Sequence, residues 1–161
     1  MASGCAFSGH RTIKQSHRGR ISALIARAIE YAYGEGCRTF YSGGAVGFDT
    51  LAAQQVIRFR MTHPDVRLIL LLPCVDQDAK WTVAQRDMYS HLLREANETT
   101  YISENYTETC IKRRNEALAT VADIMICYLS RRTSGTGQTV ALAKSLGQRV
   151  YNLYPALEDS E

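Results

Sequence analysis

The chain has 161 residues, 45% of them apolar and 22% charged, and its 19 Lys and Arg against 16 Asp and Glu leave a formal charge of +3. This length suits one domain spanning residues 1–161, and the balance of apolar and charged residues excludes a globally disordered chain. The small positive excess, with an isoelectric point near 8.6, permits an anionic ligand without indicating a broad nucleic-acid-binding surface.

Cys5-Ala6-Phe7 is the first strand candidate, short and unpatterned, as suits burial on both faces. Ile21, Leu24, Ile25, Ala28, Ile29 and Ala32 then recur at helical spacing, which predicts a helix that ends near Gly34 or Gly36. Residues 37–41 form the next strand candidate, and a second helix is expected from Phe48 to Arg60, ended by His63-Pro64. The run from Val66 to Leu72 is the strongest strand candidate. With Pro73-Cys74-Val75 it forms the longest apolar stretch, far short of the ~18 residues of a membrane span.

A third helix is expected after Asp76 as far as Glu95, with Trp81, Met88, Leu92 and Leu93 as its larger apolar residues. Thr99 to Ile102 reads as an edge strand or an extended link. A helix over 108–120, a strand over 124–129, a helix from Thr136 to Leu146 stopped by Gly147, and a strand over 149–153 complete the order. The tail from 155 to 161 is expected to fray. Strands alternating with helices predict an α/β fold: an open, mostly parallel sheet built from βαβ units and covered by helices on both faces.

The N-terminal region has no hydrophobic segment of the secretory kind, so a soluble, cytoplasmic protein with no membrane partner is expected. The five cysteines include no CxxC pair and read as reduced core fillers, with Cys74 set apart by its place at the end of the third strand. His, Cys and carboxylate residues nowhere fall at metal-ligand spacing, so neither a metal nor another cofactor is expected.

Ligands of an open α/β sheet bind beyond the carboxyl ends of its strands, where helix N-termini present N–H groups. The turn after the first strand carries Gly9, His10 and Arg11. The turn after the second carries Ser42, Gly43, Gly44, Gly47 and Asp49, and the one after the fifth carries Ser134, Gly135, Thr136, Gly137 and Thr139. Small residues let the backbone approach a phosphate, and a guanidinium suits bidentate anion contact. Each turn also has a plain structural reading: a tight connection, an Asp49 cap, or a Ser/Thr cap at 134. Neither GxGxxG nor GxxxxGK[ST] is present, so no dinucleotide fingerprint or P-loop is supported.

Pro73 closes the third strand near this end of the sheet. Trp81 or Tyr89 could stack on a base, although an aromatic in an amphipathic helix is more often core. In the fourth helix Lys112 and Arg113 read as a solvated face, whereas Asn115 could reach a ligand from the sheet edge.

Together Gly9-His10-Arg11, the run from Ser42 to Asp49, Leu72-Pro73-Cys74 with Trp81, Arg114-Asn115, and Ser134 to Val140 resemble the SLOG superfamily. Its Rossmann-like domains occur in the DNA-processing protein Smf/DprA and in the cytokinin-activating LOG enzymes. Within that superfamily the marks are most similar to the bacterial YpsA-like family, and the resemblance runs from about Cys5 to Leu153. It implies a Rossmann-like fold, a nucleotide or nucleotide-derived ligand held by the three turns, and a homo-oligomer, since relatives often dimerise. Thr139 stands where the hydrolytic LOG branch carries glutamate after Gly-Thr-x-x, and a hydroxyl does not replace a carboxylate base near pH 7.

Three readings follow. The first is a non-enzymatic module that binds or senses a nucleotide. The second is an N-glycosidic hydrolase with Asp49 as its carboxylate and His10 as acid or orienting donor. The third, a protein associated with single-stranded DNA, rests on the superfamily link and Lys112 to Arg114, and makes nucleic acid the weaker partner class.

Overall fold

The computed structural model describes residues 3–130 and 133–158. In chain order it contains β1 (Gly4–Gly9), α1 (Ile21–Gly34), β2 (Thr39–Ser42), α2 (Phe48–Arg60), β3 (Arg67–Leu72), α3 (Val83–Glu95) and β4 (Glu98–Tyr101). It continues through α4 (Cys110–Val121), β5 (Ile124–Tyr128), α5 (Gly135–Ser145), β6 (Arg149–Asn152) and α6 (Tyr154–Glu158), with a short 3-10 turn at Gln15–His17. The six strands form one sheet in the order β4-β3-β2-β1-β5-β6. Every pairing among the described strands is parallel. Thr99 to Tyr101 thus belong to an edge strand.

Alternation along the strands divides the core between two faces. Cys5 and Phe7 of β1, Phe40 of β2, and Leu68, Leu70 and Leu72 of β3 pack with the buried stripes of α1 and α2 and with Tyr89 and Leu92 of α3. On the opposite face Ala6, Ile69, Leu71, Met125 and Cys127 pack with Leu118 and Ala119 of α4 and Val140 and Ala143 of α5. Strands buried on both sides need continuous apolar sequence, which is why they read as unpatterned runs.

Two expected boundaries are corrected. Residues 76–82 form turns, and α3 begins at Val83 behind a capping box in which Thr82 Oγ1 accepts the Gln85 N–H at 3.2 Å and Gln85 Oε1 accepts the Thr82 N–H at 3.0 Å. Trp81 therefore precedes the helix rather than lying within it. Residues 155–158, expected in a frayed tail, lie in α6, while 159–161 fall outside the described residues. Leu157 is buried, and Glu158 Oε2 lies 2.7 Å from Nε2 of the fully buried His17. His17 Nδ1 lies 2.7 Å from the Tyr128 hydroxyl, and Lys14 Nζ donates to Glu158 at 3.0 Å, so α6 is tied to the segment after β1.

The order of strands decides where a ligand can enter. From β1 the chain steps outward to β4, then returns through α4 to place β5 on the other side of β1. The helices that follow β1 and β5, α1 and α5, lie on opposite faces of the sheet, and a crevice opens between them.

Candidate functional site at the switch point

A cleft of about 1140 Å³ occupies this crevice, slightly larger than the ~300–1,000 Å³ of typical small-molecule sites. It is lined by Gly9, His10 and Arg11 after β1, Asp49 at the start of α2, Pro73 and Trp81 after β3, Asn115 on α4, and Ser134, Gly135 and Thr136 at the start of α5. The fold thus brings together ten candidate positions that lie on five separate segments of the chain.

Ser42, Gly43, Gly44, Gly137 and Thr139 are not among the residues that line either cavity, and Gly47 lines only the neighbouring smaller one. They shape the loops beneath the cleft. Ser42 Oγ donates to the Asp49 carbonyl at 3.0 Å and accepts the Gly44 N–H at 3.2 Å. Gly47 has φ +86°, and a Cβ there would come within 2.2 Å of the Arg11 carbonyl oxygen, so only glycine lets the second loop pass beneath the first. The first helical N–H, that of Phe48, donates to the His10 carbonyl at 3.1 Å and is not offered to an anion. At α5 the Ser134 side chain accepts the Gly137 N–H at 3.0 Å, and Thr139 Oγ1 donates to the Gly135 carbonyl at 2.9 Å.

Asp49 and Arg114 form the polar floor, each only 5% exposed. They flank Gly43: a Cβ there would lie 2.7 Å from Arg114 Nη1 and 2.8 Å from Asp49 Oδ2, so the missing side chain is the space both groups occupy. Arg114 Nη1 donates to the Gly43 carbonyl at 2.6 Å and Nε donates to Asn115 Oδ1 at 2.9 Å. Among the described residues Nη2 has no hydrogen-bond partner, and neither does the buried Asp49 Oδ1. Burial pushes the Asp49 carboxyl up to about 6, against the opposing pull of Arg114, an Ala45 backbone hydrogen bond and Arg11. Burial also lowers the Arg114 pKa, and Asp49 counters it.

The sequence reading gave Arg114 no individual role, although a signal was present. Cys110, Arg114 and Leu118 are buried at i, i+4 and i+8, which puts the arginine in the apolar stripe of α4. Lys112 and Arg113 are exposed, as a solvated face requires. Arg11 is exposed as well, and among the described residues its guanidinium makes no hydrogen bond or ion pair.

His10 Nε2 accepts the Ser130 N–H at 2.9 Å, so the proton of the neutral ring sits on Nδ1 and Nε2 is already engaged. Trp81 contacts Tyr89 edge to face at 5.1 Å between ring centroids while lining the cleft, so it is both packed and accessible to a ligand. Cys74 is buried and burial pushes its thiol up to about 11, which leaves little thiolate near neutral pH. Among the described residues no three His, Cys, Asp or Glu side chains cluster as a metal site, and no helix is long and apolar enough to cross a membrane.

Comparison with known proteins gives a family match over nearly the whole chain: the model described as the YspA SLOG family matches residues 9–153. The UPF0398 protein BH1768 of Halalkalibacterium halodurans is 26% identical over 140 residues, covering 85% of this chain and 70% of that protein. The SPbeta prophage-derived protein YoqJ of Bacillus subtilis is 25% identical over 146 residues, covering 82% and 85%. Among solved structures, DNA processing protein A of Streptococcus pneumoniae superposes with a TM-score of 0.67 at 17% identity, covering 98% of this chain and 53% of that one. The Helicobacter pylori protein of the same name, described for its single-stranded DNA binding mode, gives 0.63 at 19%, covering 92% and 63%. At these identities the likeness is one of fold, and the chain spans between half and two thirds of those proteins.

Proposed function

The chain belongs to the YspA SLOG family, and from that premise we propose that it binds a nucleotide through its phosphate in the switch-point cleft. The observation that carries this reading is the pair of cations lining one crevice: the Arg11 guanidinium, which has no partner among the described residues, at its rim, and Arg114, whose Nη2 has none among them either, on its floor. A phosphate between them would receive charge-assisted hydrogen bonds, and Trp81 offers a ring face beside it for a base. The Asp49 carboxyl is adjacent, and below about pH 6 it holds a proton that it can donate to a phosphate oxygen.

Trp81 is the single tryptophan of the chain, so its fluorescence reports on the cleft directly. Titration with nucleoside monophosphates and with the matching nucleosides should give saturable quenching by the former only. Arg11→Ala should weaken it by at least about tenfold, the loss of a charge-assisted hydrogen bond. Equal response to nucleoside and nucleotide, or an Arg11→Ala protein that binds as the wild type does, would refute the reading. Free base released in the same incubations would identify the hydrolytic alternative.

A second reading is supported by the two DNA processing protein A structures: the nucleotide is presented within single-stranded DNA. The comparisons weigh more on this side than on a free regulatory nucleotide. It requires oligonucleotide affinity to fall steeply with salt, by about 0.7 in log K per log salt for each phosphate neutralised. A slope no steeper than that of the mononucleotide would reject it.

A further inference from the structure

Arg11 stands on a ridge between two cavities. Beyond the ridge lies a second hollow of about 640 Å³, between the start of α1, the start of α2 and the first turns of α3. Its walls include Ile21, Leu51 and Met88, which supply apolar surface, and Ser22, which supplies a hydroxyl. Arg18 stands at its edge; Arg18 Nε donates to the Ile13 carbonyl at 3.3 Å, and among the described residues this guanidinium forms no ion pair. Among the described residues no carboxylate lines this cavity. The ridge is fixed, because Gly47 allows the backbone of the second loop to lie against the Arg11 carbonyl.

We infer that this cavity takes the second nucleoside of a ligand made of two nucleosides joined through phosphate, with the linking phosphate on Arg11. The inference rests on the reading of the main cleft as a nucleotide site, and extends it from one nucleoside to two. Its grounds are geometric and chemical. One unpartnered cation is shared by two adjacent hollows, and the second combines apolar walls for a heterocycle with a further cation and no opposing negative charge among the described residues. Binding that heterocycle adds apolar burial to phosphate contact without a second loss of overall translational freedom, so the joined ligand binds more tightly than its half.

The test compares thymidine 5′-methylphosphate, one nucleoside with a single diester charge, against TpT, which carries the same charge on two nucleosides. Dithymidine 5′-pyrophosphate is a third arm that distinguishes a free pyrophosphate-linked ligand from a strand-type linkage. Affinities are read from Trp81 fluorescence, and the second cavity is read from the methyl resonance of Met88 in protein labelled at its methionine methyl groups. The buried Met125, on the opposite face of the sheet, serves as the internal control. A two-nucleoside ligand should bind at least about tenfold more tightly than the one-nucleoside ligand, and it alone should shift the Met88 methyl. Ser22→Phe, which fills the cavity and leaves Trp81 the single tryptophan, should remove that advantage while leaving the one-nucleoside affinity unchanged.

If no ligand quenches Trp81, the nucleotide reading of the main cleft fails and this inference fails with it. If the one-nucleoside ligand binds but the joined ligands bind no better and Met88 is still, only the second cavity is overturned. An advantage that persists in Ser22→Phe with Met88 unmoved also overturns it. The Met88 measurement on wild-type protein decides the matter even where the Ser22→Phe substitution unfolds the chain.

Discussion

Asp49→Asn isolates the energetic consequence of burying a carboxyl in the cleft floor. The Asp49 pKa rises from 3.8 to about 6 on folding, roughly two units, which corresponds to about 3 kcal/mol of difference between its two protonation states. Because the folded value is the higher one, the native state binds this proton more tightly than the unfolded chain. The contribution to stability is therefore complete well below the unfolded value of 3.8 and is lost as pH rises through about 6. Above that, the native state carries a buried charge.

Urea unfolding of wild type and variant from pH 4 to pH 8 measures this directly. Every other carboxylate titrates in both proteins, so the wild-type minus variant difference isolates residue 49. That difference should fall by about 2 kcal/mol between pH 4 and pH 6 and by a few tenths more by pH 8, leaving the variant favoured at pH 8 relative to its standing at pH 4. A constant offset from lost hydrogen bonding leaves the shape unchanged. A difference that stays flat within about 0.5 kcal/mol across the range would refute the reasoning, because Asp49 would then be ionised in the fold at ordinary cost.

The same titration should appear in binding: affinity for a phosphodiester, whose own charge is constant, should weaken as pH rises through about 6, and Asp49→Asn should abolish that dependence. Gly43→Ala forces a Cβ between Arg114 Nη1 and Asp49 Oδ2 and should cost about 1–3 kcal/mol in denaturant unfolding; an unchanged midpoint would show that the floor is loosely packed. Gly47→Ala meets both a positive φ and the Arg11 carbonyl, so it should lower the midpoint further than Gly43→Ala does. His17 and then Lys14 hold the Glu158 carboxyl below its ordinary range, so the stability it adds is present above that range and lost as pH falls through the depressed value. Glu158→Gln should remove this acid limb and raise hydrogen exchange at the Leu157 amide, and unaltered exchange would show that α6 is held by packing alone.

How far the sequence reached can be seen in particular elements. Both ends of α2 and the stripe of α1 were legible because helical periodicity and glycine or proline stops act locally. The unpatterned run of β3 announced a strand buried on both faces, and alternation with helices announced the parallel sheet. The helix α6 was missed because its anchor is not local: Leu157 is buried and Glu158 meets His17, 141 residues away in the chain. The capping box at Thr82 was present in the sequence but outweighed by the helix expected from Asp76 onward.

The turns of Gly9 to Arg11, Ser42 to Asp49 and Ser134 to Thr139 were selected by residue type, and residue type says only that the backbone there can turn or approach closely. Tertiary structure divided them, setting Arg11, Asp49 and Ser134 in the cleft and turning Ser42, Gly44 and Thr139 to hold the loops. Only packing revealed Arg114, since its neighbours Lys112 and Arg113 carry the same charge and differ from it chiefly in the face of α4 they occupy. The sequence by itself determined an α/β sheet with a mild positive charge and glycine-rich turns at one end, because those properties follow from local pattern. Which side chains share a crevice, and that a near-neutral carboxyl and a buried guanidinium flank Gly43 there, were decided by strand order and helix packing, which bring together residues 65 positions apart in sequence.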